Sequence, residues 1–206
     1  MIITDPIQIE KKSFEVITDE IGTRFIPPEN EAVVKRVIHT SADFDYIENL
    51  KFSANAVEIA LDNLNKGCVI VTDTQMVKSG INKSIAAELG VEVYCFMSDD
   101  DVTAEAKNRG ITRAIVSMEK AAKLDKPCIM AIGNAPTALL CLCDMIKNGR
   151  FTPALIIGVP VGFVNVVESK QEVMETSVPY IVAAGRKGGS TIAAAICNAL
   201  LYQIRR

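Results

Sequence analysis

The sequence predicts an α/β protein: a flavodoxin-like, doubly wound, mainly parallel sheet in a three-layer sandwich, preceded by N-terminal helices. Three observations lead there. From about residue 50, short apolar runs alternate with helical segments, as in a parallel sheet with crossover helices. The runs are apolar at nearly every position, which suits strands covered on both faces. The chain is 49% hydrophobic but only 5% aromatic and lacks tryptophan, so its core must be built from Ile, Val, Leu and Ala. At 206 residues, a single domain over 1–206 is the simplest division.

The elements follow in order. Asp5 can cap a first helix that opens with Pro6 and ends at Gly22. Ile7, Ile9, Phe14, Ile17 and Ile21 give it an apolar stripe. A second helix is expected from Glu29, after Pro27-Pro28, with Ala32, Val33, Val37 and Ile38 on its buried face. Strands are expected at Cys68–Thr72, Val91–Phe96, Cys128–Ile132, Ala154–Ile157 and Tyr180–Ala183. Helices are expected near Ala54–Asn65, Ser84–Leu89, Val102–Arg109, Arg113–Lys123, Thr137–Lys147, Glu168–Thr176 and Ser190–Ile204.

Composition narrows the function. A net charge of −3 lacks the basic field of a general nucleic-acid binder, while leaving room for a local basic patch. The six cysteines form no CxxC pair, and most sit inside apolar runs, so buried reduced thiols in a cytoplasmic protein are expected. Charged residues interrupt the N-terminus, which does not read as a signal peptide. The most apolar stretch, Pro153–Val167, is broken by Gly158, Pro160 and Gly162 and is too short for a membrane span.

Ligands of doubly wound folds collect beyond the carboxyl ends of the strands. Here those ends read Thr72-Asp73-Thr74, Gly133-Asn134-Ala135-Pro136-Thr137, Gly158-Val159-Pro160-Val161-Gly162-Phe163 and Gly185-Arg186-Lys187-Gly188-Gly189-Ser190-Thr191. The last is the richest in chemistry. Its glycines let the backbone approach a ligand, a helix begins directly after it, and Arg186 and Lys187 add full charges, so it suits an anion. It also fits a tight turn into a capped helix. The lysine precedes the glycine pair, so it is not a nucleotide phosphate loop. Gly133–Thr137 reads equally as a capped strand-to-helix turn or as a ligand contact. Asp99-Asp100-Asp101 is read as helix capping rather than a metal site.

One histidine, His39, is present in the whole chain. It is the one side chain whose unperturbed pKa allows proton exchange near neutrality. A Ser–His–Asp triad lacks its surroundings, and a histidine-rich zinc site is excluded by count. Arg36 and His39 stand three apart on the second helix and share a face. A histidine in a last helical turn is favoured as a cation, which suits proton donation, while Arg36 opposes that effect.

Six separated segments together resemble one family. They are Arg36-Val-Ile-His39, Thr72-Asp-Thr-Gln-Met-Val77, Gly133-Asn-Ala-Pro-Thr-Ala-Leu139, Pro160-Val-Gly-Phe-Val-Asn165, Glu168-Ser-Lys170 and Gly185-Arg-Lys-Gly-Gly-Ser-Thr191. In order and spacing they are similar to precorrin-8X methylmutase, the cobalt-precorrin-8 methylmutase of vitamin B12 biosynthesis, over nearly the whole chain. Val166-Val167 departs from the pattern, where smaller residues are expected. The resemblance implies an isomerase that moves a methyl group from C-11 to C-12 of a precorrin-8 type tetrapyrrole. The product would be hydrogenobyrinate, or cobyrinate when cobalt is present. It implies no cofactor, no external methyl donor, no protein-bound metal, and a homodimer with a flavodoxin-like core. It also implies that His39 is the proton donor or acceptor and that Arg36 and Ser13 contact substrate.

Such a substrate carries several carboxylates. Arg186 and Lys187 are the next binding candidates, followed by Thr72, Lys78 and Asn134, with Met76, Val77 and Phe163 as apolar walls. Two other readings use the same residues. A non-catalytic tetrapyrrole carrier would use the pocket without needing His39. A nucleotide-binding flavodoxin-like protein would use the strand ends.

Overall fold

The computed structural model describes residues 2–205. The chain runs α1 (Pro6–Ile21), α2 (Pro28–Ser41), α3 (Tyr46–Asn49), β1 (Leu50–Phe52), α4 (Ala56–Asn65), β2 (Val69–Thr72), α5 (Gln75–Gly80) and α6 (Lys83–Glu88). It continues with β3 (Glu92–Tyr94), α7 (Asp100–Arg109), α8 (Arg113–Ala121), β4 (Cys128–Ile132), α9 (Pro136–Lys147), β5 (Leu155–Gly158), α10 (Val166–Met174), β6 (Tyr180–Ala183) and α11 (Ser190–Ile204).

The six strands form one sheet in the order β1-β6-β5-β4-β2-β3. All pairs are parallel except β1 with β6. Numbered alone in chain order, the five parallel strands run 2-1-3-4-5, the flavodoxin-like order. The uniformly apolar strands are explained by parity, since successive side chains point to opposite faces. Ile70, Ile129, Ala131, Leu155, Ile157 and Ile181 enter the core under α4, α5, α6 and α11. Val69, Val71, Met130, Ile132, Ile156 and Val182 enter the core under α7, α8, α9 and α10. Each fully buried Ile or Val contributes roughly 1.5–3 kcal/mol relative to exposure. Every residue of β2, β4 and β5 is buried.

The N-terminal helices add a further layer. α2 packs on α11, and α1 packs on α2. The first helix begins as expected, with the Asp5 carboxylate accepting from Gln8 N at 2.9 Å and Pro6 in its first turn. Gly22 ends it at φ +61°. Its stripe is buried only in the second half: Ile17 and Ile21 are buried, whereas Ile7 is 75% exposed. On α2 the buried face is Val33, Val34, Val37 and Ile38, so Val34 takes the place expected for the half-buried Ala32.

Three short elements escaped the sequence pattern. β1 is a three-residue antiparallel edge strand, too brief to show alternation. α3 is a single turn. α5 begins where a loop was expected; the Thr74 hydroxyl caps it by accepting from Val77 N at 3.1 Å. The Asp99 carboxylate makes no cap bond to the helix that follows it, and with Asp101 it binds the Lys120 ammonium at 2.8 and 2.7 Å. Among the described residues no helix is long and apolar enough to cross a membrane.

Candidate active site

Two places could hold chemistry: the crevice between β2 and β4, where the strand order reverses, and the region where α1, α2 and the loop after β6 meet.

The crevice is closed by the chain itself. Asp73, fully buried at the end of β2, accepts from the amides of Gly133, Asn134 and Ala135 at 2.9, 2.7 and 2.6 Å. Those are the free amides before α9 that would otherwise attract an anion. Burial raises the Asp73 carboxyl above its ordinary value, and the three amide bonds pull it the other way. A Cβ on Gly133 would come within 2.8 Å of Ser190 Cα, so glycine is required for the crevice to close against α11. Thr72 lies here too. It is fully buried and its hydroxyl donates towards the carbonyls of Thr74 and Tyr94, both at 3.1 Å. With no exposed atoms it cannot touch substrate, which corrects the expectation that it binds one. Val77, expected as an apolar wall, is likewise fully buried. Asn134 keeps an exposed side chain, although its amide belongs to Asp73.

The second place brings Arg36 and His39 against one ring, Phe14, that the sequence pattern assigns only to packing, with Ser13 next to it in the chain. Phe14 stacks on the His39 imidazole at 5.2 Å between centroids and 8° between planes. The Arg36 guanidinium lies 4.8 Å from the centroid of the same Phe14 ring and 5.0 Å from that of Tyr202. Glu10 accepts from Arg36 at 2.8 Å. Arg36 is thus held by two rings and a carboxylate, and only 15% of its side chain is exposed. The expected shared helix face is present, and Phe14 is what fills it. His39 is exposed and lines a groove of about 660 Å³ between α1 and α2, together with Ser13, Ile9, Val16, Ile38 and Phe44. The Ser13 hydroxyl donates to Ile9 O at 2.8 Å. Arg36 lines an adjoining groove of about 940 Å³ on the other side of Phe14.

The loop after β6 is tied to the histidine helix. The Lys187 ammonium bonds Asp43 and Asp45, just beyond the end of α2, at 2.7 and 2.6 Å. These bonds raise the Lys187 pKa and lower that of Asp43. Lys187 therefore spends its charge on protein carboxylates and anchors the loop, which qualifies its expected role in binding substrate. Arg186 is exposed, with its guanidinium 5.5 Å from the centroid of the 83% exposed Phe163 ring. Val161 and Val164 beside it are exposed as well. Lys78 sits half-buried on α5, and its ammonium makes no hydrogen bond or ion pair among the described residues. The thiols of Cys68 and Cys128 are pushed up by burial to about 12 and about 11, so neither supplies a thiolate nucleophile.

Comparison with known proteins identifies the family. The family model described as precorrin-8X methylmutase matches residues 8–203. The cobalt-precorrin-8 methylmutase of Leptospira interrogans is 47% identical over 201 residues, covering 94% of this chain and 91% of that protein. The cobalt-precorrin-8 methylmutase of Salmonella typhimurium is 46% identical over 209 residues and is matched over 98% of both chains. The crystal structure of a precorrin-8X methylmutase from Thermus thermophilus superposes with a TM-score of 0.88 at 39% identity, covering 96% of this chain and 97% of that one. The chain belongs to the precorrin-8X methylmutase family, and it is an isomerase of cobalamin biosynthesis.

Proposed function

We propose that the protein moves a methyl group from C-11 to C-12 of a precorrin-8 type macrocycle, with or without cobalt, and that His39 exchanges the proton this shift requires. The observation that carries the reading is the position of His39. It lines a largely apolar groove that Ser13 also lines, with its ring stacked on Phe14. The α2 end that carries it is pinned to the glycine-rich rim through Asp43, Asp45 and Lys187.

The chemistry asks little covalent help from the protein. As the carbon–methyl bond at C-11 breaks, the one at C-12 forms, and no electrons enter or leave. The reaction needs the right tautomer and a held geometry. His39 sets the protonation state at ring C and takes the proton back after migration. Arg36 and Ser13 contact the substrate on either side of Phe14. Arg186 and the rim amides bind its carboxylates, with Lys78, Asn134 and the outer part of Lys187 as peripheral contacts. Phe163, Val161 and Met76, which is 64% exposed, offer apolar walls for the flat macrocycle.

The active form in this proposal is a homodimer. Ile9 and Val16, seven apart on one face of α1, are 45% and 49% exposed, and a second chain laid against them would close the His39 groove that they line. Sedimentation of the purified protein should give twice the chain mass, and a monomer at micromolar concentration would contradict it. The free cysteines fit a cytoplasmic enzyme.

His39→Ala separates this mechanism from a carrier that binds the macrocycle without acting on it. Turnover should fall while the coloured product still binds, as read from its visible absorption band. Unchanged turnover would remove His39 from the mechanism.

A further inference from the structure

Beneath the rim lies a buried cation with no part in the reading above. Lys170, on α10, is 1% exposed. Its Nζ donates to the carbonyl oxygens of Gly185 and Lys187, both at 2.8 Å. Among the described residues no carboxylate pairs with it. A buried ammonium without a counter-ion is costly, and burial pushes this one down to about 8. Both of its acceptors belong to one loop, the loop that carries Arg186 and Lys187.

The consequence is stereochemical. A trans peptide sets its N–H opposite its C=O, and the described chain has no cis peptide. With the carbonyls of Gly185 and Lys187 drawn down to Nζ, the amides of Arg186 and Gly188 must point away from it. The neighbouring groups are used internally: Gly162 N donates to Arg186 O at 3.2 Å, and Gly189 N donates to Val159 O at 2.8 Å. Among the described residues the Arg186 and Gly188 amides have no protein acceptor. The position of Gly188 also excludes any side chain, because a Cβ there would lie 2.2 Å from Val159 O at a φ of +154°. Directly after it, α11 begins with no side-chain cap.

We propose that Lys170 is a positioning residue for substrate binding: it pins two carbonyls from below so that the Arg186 and Gly188 amides face a carboxylate of the macrocycle. This rests on the rim being part of the substrate site, as argued under Proposed function. Lys170 touches no substrate and acts through the loop above it.

The test combines amide exchange, followed by NMR on the full-length protein, with steady-state kinetics. In the free wild-type enzyme the Arg186 and Gly188 amides should exchange freely while Gly162 and Gly189 stay protected. Added hydrogenobyrinate should protect the first pair. Lys170→Met keeps the length of the side chain and removes the cation. It should shift the amide signals of residues 186–188 and raise KM by about 10–100-fold, the loss of one charge-assisted contact, with a smaller change in kcat. Lys170→Arg should recover part of that loss. Unmoved loop amides and an unchanged KM in Lys170→Met would overturn the proposal. Moved amides that product never protects, with KM unchanged, would overturn it through the rim reading instead. Should Lys170→Met fail to fold, protected Arg186 and Gly188 amides in the free wild-type enzyme would be enough to refute it.

Discussion

The crevice between β2 and β4 and the groove between α1 and α2 make an instructive pair. The crevice has the features expected of an anion site: a strand end, a glycine, free amides and a helix start. In this chain Asp73 takes the place of the anion and satisfies all three amides. The groove has no such signature. It is formed by two helices outside the sandwich, and its polar groups are organised by a phenylalanine. Amides at a strand end therefore mark a place for negative charge, and the negative charge can be the protein's own. The same contrast weighs against a nucleotide-binding reading, since the amides a phosphate would use are occupied.

The predictions divide along that line. His39→Ala, in the groove, should lower turnover by about 10²–10⁴-fold at unchanged fold stability, as read by steady-state kinetics and thermal melting. Phe14→Ala should lower turnover by about 10–100-fold through misplacement of His39 and Arg36, and Phe14→Tyr, which keeps the ring, should restore most of it. Asp73→Ala, in the crevice, should act on stability alone. One buried and two part-buried amides lose their acceptor, a cost of about 3 kcal/mol, visible as a lowered melting temperature with KM unchanged. A raised KM in Asp73→Ala at a temperature where it is folded would return the crevice to the substrate site.

Lys170 gives a smaller effect with a definite sign. Its folded pKa of about 8 lies below the ordinary lysine value of 10.5. Between those pH values the unfolded chain holds a proton that the folded chain has released, so this group makes stability rise with pH across that window. The difference in denaturation free energy between wild type and Lys170→Met should therefore change with pH between 8 and 10.5 and level off below 8. A difference that stays flat across the window would mean that Lys170 keeps its ordinary pKa. The smallest effect is expected of Asn134→Ala, whose amide is structural and whose side chain is peripheral; KM should move by less than the value for Arg186→Ala.

Much of the fold was legible because buried parallel strands are written as uninterrupted apolar runs, and Cys128–Ile132 is strand β4 to the residue. β1 and α5 were not, since three residues carry no period and a six-residue helix hides behind its threonine cap. In the candidate site, the i,i+3 spacing put Arg36 and His39 on one face, while Ser13 was suggested by the family resemblance alone. Phe14 was not legible as their organiser. Its place in an apolar stripe shows that it packs and leaves open what packs against it. Thr72 and Lys187 looked like ligand groups because strand-end hydroxyls and loop lysines usually face solvent. Burial claims the first, and two aspartates from a distant helix end claim the second. Contacts between residues so far apart in the chain leave no local pattern to read.

The macrocycle is expected against His39, with the Asp73-bound amides of the β2–β4 crevice taking no part in binding it. One histidine gives one set of imidazole signals, so NMR assignment needs no mutant. Titration of the enzyme with cobalt-free hydrogenobyrinate should shift those signals in proportion to occupancy while the Gly133 and Ala135 amides stay in place. Stationary imidazole signals together with moving Gly133 and Ala135 amides would contradict the account.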